Sequence, residues 1–65
     1  MLEKYESKKV VIETDNQKIF RGKIVDYIPP DYNENGKESI VIDDAHTGRL
    51  VELYGCDIKS IDIMN

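Results

Sequence analysis

The sequence predicts an all-β protein: five short antiparallel strands forming one small, strongly bent barrel, with a short helix ahead of the first strand. Three observations lead there. From Lys9 onward the apolar residues alternate with a period of two. Turn-forming residues separate the alternating runs at a spacing of about 8–12 residues. A glycine, Gly22, interrupts the longest run, where a strand that must curl needs a bend or a bulge.

The elements follow in order. Leu2 to Lys8 hold good helix formers without Gly or Pro, and Leu2 and Tyr5 stand at i and i+3. One or two helical turns are expected, and so short a piece must dock to be stable. The first strand starts at Lys9, with Val10, Ile12 and Thr14 on one face and Lys9, Val11 and Glu13 on the other. Asp15 to Lys18 form a turn in which Asp and Asn tolerate left-handed backbone. The second strand runs from about Lys18 to Ile28. Phe20, Gly22 and Ile24 face inward; Ile19, Arg21, Lys23, Val25 and Tyr27 face outward. Pro29 and Pro30 end it, since proline cannot donate to a ladder. The stretch from Pro29 to Lys37 is a loop.

A third strand covers about Glu38 to Asp43, with Ile40 and Ile42 on one face. Asp44 to Gly48 form a hairpin loop, Gly48 being free to take positive φ. The fourth strand is about Arg49 to Leu53, and Tyr54 to Asp57 form a tight turn of the 3₁₀ kind. The fifth strand, Ile58 to Ile63, carries Ile58, Ile61 and Ile63. Closing the five strands into a barrel removes the exposed sheet edges.

Sixty-five residues make room for one domain over residues 1–65, and its core must be small. Such chains gain from a staple. A disulfide within the chain is excluded because Cys56 is its only cysteine, and a zinc cluster because His46 is its only histidine. Self-association is the staple that remains, so a homo-oligomer is expected. The outward row Val11, Ile19, Val25 and Tyr27 is apolar enough to favour an interface.

The formal net charge is −4. Such a balance counts against a generic nucleic-acid binder, which carries a basic footprint. The charge is uneven, however. Residues 1–24 sum to +2, and residues 25–65 sum to −6. Either one end is locally basic or the charges form a mixed, solvated surface. Charged residues begin at Glu3, and no apolar run approaches the roughly 18 residues that span a bilayer. No signal peptide and no membrane role are expected. A single unpaired cysteine fits a reducing cytoplasm.

No catalytic motif occurs: there is no phosphate-binding glycine loop, no G-x-S-x-G and no H-E-x-x-H. Asp43, Asp44 and His46 supply too few convergent ligands for a cation, and solvated turn residues are expected there. Cys56 lies between Gly55 and Asp57, and the carboxylate raises a thiol pKa. A small, partly buried thiol is expected. The reading is therefore non-enzymatic, with no cofactor and no metal.

The residues also resemble a family. Val10-x-Ile12, a polar turn and then Phe20-x-Gly22-x-Ile24 are similar to the first half of an Sm-like (LSM) domain. Leu53-Tyr54-Gly55-Cys56-Asp57-Ile58 followed by Ile61 is similar to its second motif. The resemblance covers nearly the whole chain and is closest to small bacterial Sm-related proteins. It implies a bent five-stranded barrel, and rings of six or seven subunits closed by strand four of one subunit on strand five of the next. It also implies binding of uridine- or adenine-rich RNA near the pore. An aromatic and an Asn after strand two, and an Arg-Gly before strand five, would do this.

This chain departs from that pattern at two places. Tyr54 stands where the Arg is expected, so only Gly55 matches, and Ile28 stands where an Asp is expected. The fold therefore carries over more fully than RNA binding does. An SH3-like barrel of another lineage shares the same strand count and spacing. The candidate RNA- or partner-binding residues are Tyr27, Tyr32, Asn33, Tyr54 and Gly55. Two functions stay open: a self-assembling interaction module, and a single-stranded RNA binder of Sm type.

Overall fold

The computed structural model describes residues 1–64. One antiparallel sheet holds five strands: β1 (Lys9–Thr14), β2 (Ile19–Ile28), β3 (Ser39–Asp44), β4 (Leu50–Tyr54) and β5 (Ile58–Ile63). Their order across the sheet is β4-β3-β2-β1-β5. Three short 3₁₀ turns, Leu2–Tyr5, Pro30–Tyr32 and Gly55–Asp57, complete the elements, and no α-helix forms among the described residues. The expected N-terminal helix is thus a single 3₁₀ turn. Its Leu2 and Tyr5, which superpose in a three-residue period, both lie on the core.

The core is one face of the sheet. Val10, Ile12, Ile24, Ile40 and Ile42 are wholly buried, and Leu53 joins them. These residues come from the same-face sets that the alternation predicts for β1, β2 and β3. Phe20, Val51, Ile58 and Ile61 are half-buried around them. With no helical layer to cover that face, the sheet must curve over its own apolar side. Branched side chains at these positions favour the extended backbone that carries them.

Curvature has two sources. The first is Gly22, at a φ of +152°. A Cβ placed there would lie 1.9 Å from the carbonyl oxygen of Asp43 in β3, so no other residue fits without moving backbone. The second is a register shift in the β2–β3 ladder, where Ile24 faces Ile42 but Asp26 faces Val41. Val25 is the extra residue, so the bulge lies three positions beyond the glycine expected to carry it. A second shift falls between Glu13 and Thr14 in the β1–β5 ladder.

Closure into a barrel is not found. Among the described residues no ladder joins β4 to β5, and these two are the outer strands of an open sheet. The turn at Gly55–Asp57 links them along the chain, and the Asp15 N–H donates to the Asp57 carbonyl at 2.9 Å. The turn between β1 and β2 also differs in detail. Its left-handed residue is Gln17, at a φ of 68°, rather than the Asp or Asn expected to take that role.

Candidate functional site

The ladders bring the five candidate residues to one end of the sheet. Ile28 faces Ser39 and Ser39 faces Tyr54, so the end of β2, the start of β3 and the end of β4 lie side by side. The loop containing Tyr32 and Asn33 leaves from that end, and Gly55 follows Tyr54 there.

Tyr27 is not an outward residue. The bulge at Val25 reverses the facing of the strand beyond it, so Tyr27 pairs with Ile40 and packs against the core. Its hydroxyl donates to Glu38 Oε1 at 3.0 Å. The backbone N–H of Leu2 donates to the same oxygen at 3.2 Å. Burial raises the Tyr27 phenol above its ordinary value, and the bond to Glu38 adds to the rise. Burial pushes the Glu38 carboxyl up as well. The bonds from Leu2 and Tyr27, with the nearby amino terminus, outweigh that and hold it below the usual range. Tyr27 therefore anchors the N-terminal turn and does not form an aromatic and basic row with Arg21 and Lys23.

Asn33 is committed as well. Its Nδ2 donates to the Lys37 carbonyl at 2.7 Å and to Ser39 Oγ at 3.0 Å. Those two bonds take both protons of the amide and close the loop onto β3. The buried Ser39 hydroxyl in turn donates to Glu52 Oε2 at 2.7 Å. Tyr54 is half-buried at the end of β4. The Gly55 N–H donates to the Glu38 carbonyl at 3.1 Å. Tyr32, 82% exposed, is the most open aromatic side chain at this end.

Glu38, Ser39 and Glu52 hold this end together, and sequence reasoning did not single them out. Alternation places Ser39 on a face but does not show that a loop amide will reach it. Elsewhere, two expectations are corrected. Cys56 is exposed rather than partly buried. Asp44 is buried rather than a solvated turn residue. It accepts from the Thr47 hydroxyl at 2.8 Å, the Thr47 N–H at 3.2 Å and the Arg21 N–H at 3.4 Å. The Thr47 hydroxyl bond is the main reason that its carboxyl lies below the ordinary range, and backbone N–H groups assist against the opposing effect of burial. Among the described residues no three His, Cys, Asp or Glu side chains converge as a metal set, and no helix is long and apolar enough to cross a membrane.

The fold and this end define a small all-β domain with one open five-stranded antiparallel sheet. Comparison with known proteins finds no match among family models, curated proteins or solved structures.

Proposed function

We propose that the protein is a non-enzymatic, Sm-like interaction module that self-assembles through the two free edges of its sheet. The observation that carries this reading is the pair of uncovered outer strands. The Gly55 N–H bonds to Glu38 and the Asp44 N–H to Arg49 across the β3–β4 ladder. The alternation of an antiparallel ladder then turns the backbone groups of Leu50 and Glu52 to the free edge. On the other side the Met64 N–H donates to the Lys9 carbonyl, which leaves the backbone groups of Ile61 and Ile63 facing outward. Leu50 is 66% exposed, Ile63 49% and Met64 44%. Unpaired edges with apolar side chains favour pairing with another strand. A ring closed by strand four on strand five, as the resemblance implies, would use these two edges.

Light scattering at two salt concentrations tests it. A mass of several chains is expected for the natural sequence. Leu50→Pro and Ile63→Pro each remove an outward-facing donor while leaving the internal ladders intact. Together they should abolish the ring-sized mass and keep the β-sheet circular dichroism. A natural chain that stays monomeric across the micromolar range would overturn the proposal.

A second reading, single-stranded RNA binding, rests on Tyr32, an exposed aromatic on which a base can stack. Asp31 and Glu34 flank it, and carboxylates repel phosphate. If the reading holds, affinity for oligo-U or oligo-A falls with salt, and Tyr32→Ala weakens it.

A further inference from the structure

A hollow of about 420 Å³ lies beside Gly22 of β2, away from the candidate site, and is lined by Ala45 and Met64, by the cations Lys9, Arg21 and Lys23, and by Asp43 and Asp44. Its cations come from the strand register. Lys9 stands directly opposite Lys23, and Arg21 opposite Val11. The Thr14 N–H bonds to the Lys18 carbonyl and the Ile24 N–H to the Lys8 carbonyl. That phase makes Lys9 and Lys23 a non-hydrogen-bonded pair, the arrangement in which opposed side chains stand closest. Like charges so placed destabilise a ladder. The chain has thirteen carboxylates to nine Lys and Arg, yet none of these three cations has an ion pair among the described residues. Asp43 faces Lys23 across the next ladder, and the neighbouring Asp44 is buried and occupied by Thr47 and Arg21. The lining thus keeps a small positive excess, three cations against Asp43 and Asp44, beside the apolar Ala45 and Met64.

Such a hollow takes an apolar or planar group flanked by negative charge. This chain presents one at its other end: Tyr32, 82% exposed, with the exposed Asp31 and Glu34 on either side. The loop is held in shape by the two bonds from Asn33. Gly22 and Ile28 are six positions apart on β2, about 20 Å of strand, so one chain does not satisfy its own hollow. We propose that the hollow receives the Pro30–Glu34 loop of a second copy, with Tyr32 against Ala45 and Met64 and with Asp31 and Glu34 against Lys9, Arg21 and Lys23. The contact is heterologous, head to tail, and each copy offers one hollow and one loop. The inference rests on the self-assembly reading and adds a contact separate from the strand edges.

The test is made in the Leu50→Pro/Ile63→Pro background, so that edge pairing does not enter the measurement. That protein should still associate in sedimentation at high concentration, more weakly as salt rises. Adding Lys9→Glu and Lys23→Glu should weaken association about ten-fold or more, and so should adding Tyr32→Ser instead. All three side chains are exposed, so circular dichroism should be unchanged. Mixing the two variants should restore association as a one-to-one pair that grows no further, because one supplies an intact loop and the other an intact hollow. Absence of association in the background overturns the loop contact and leaves the edge reading standing. Failure of the mixture to form the pair also overturns it. Binding of oligo-U at the hollow, lost in the lysine variant, assigns the cations to nucleic acid and overturns it too.

Discussion

Gly22 and Gly55 each form a corner in the path of the chain, Gly22 inside the central strand β2 between Val10 and Asp44 and Gly55 in the turn after β4, and both were singled out in the sequence, the first as a bend and the second as part of a binding motif. Their surroundings differ in kind. At Gly22 an added Cβ would meet the Asp43 carbonyl oxygen at 1.9 Å, and the backbone carries a φ of +152°. At Gly55 an added Cβ would meet Leu2 Cδ1 at 3.1 Å and Glu38 Cγ at 3.4 Å, both on side chains that can shift. A glycine set against another strand's backbone is a condition of the fold. A glycine set against flexible side chains only permits close packing of the turn that covers it. The Gly55 corner is thus the softer of the two, and the N-terminal turn docks there through Leu2, Tyr27 and Glu38.

The largest effect that would break this contrast lies at Gly22. Gly22→Ala should cost at least about 4 kcal/mol and leave little folded protein, as read by urea denaturation and circular dichroism. Near-normal stability would mean that β2 and β3 separate at that point without penalty.

Next comes Asp44, which binds the 44–48 loop to the same corner. Asp44→Ala should lower the melting temperature clearly. Its carboxyl lies below the ordinary range in the folded protein, so the unfolded chain takes up the proton first as pH falls. The stabilisation is therefore full above about pH 3.9, the ordinary Asp value, and is lost as pH falls through the lower folded value. Asp44→Asn should flatten that part of the acid denaturation curve. An unchanged acid limb would show that the buried carboxylate contributes nothing to the corner.

Gly48→Ala should cost about 1–2 kcal/mol, since the residue has a φ of +72° with open space around it and only backbone strain is at stake. Gly55→Ala should be the mildest, about 1 kcal/mol in equilibrium unfolding, the low end for an added methyl group, because only side chains must shift. A loss at Gly55 equal to that at Gly22 would erase the distinction between the corners.

Much of the sheet was legible because period-two alternation needs only local information. Spacing alone put Val10 with Ile12 and Ile40 with Ile42 on shared faces and Ile24 on the inward one, and all five are wholly buried. Strand ends shifted by about one residue: β3 extends to Asp44 and β4 to Tyr54. Tyr27 was misplaced for a specific reason. An extra residue at Val25 reverses the face of every residue after it, and a bulge is a property of two paired strands, not of one. Asn33 and Gly55 appeared as site residues in the sequence and prove to be occupied by Lys37, Ser39 and Glu38.

The sequence by itself determined the all-β class, the number of strands and their order along the chain, which residues of a strand share a face up to the bulge, and the uneven charge along the chain. These follow from alternation, turn chemistry and counting, which act over a few residues. The tertiary structure decided that the sheet stays open, that Tyr27 turns inward, that Asp44 is buried, and that Lys9 and Lys23 stand face to face. Each depends on the register between strands distant in sequence. Register is set by the balance of core packing, bulges and hydrogen bonds across the whole sheet, and no single segment carries it.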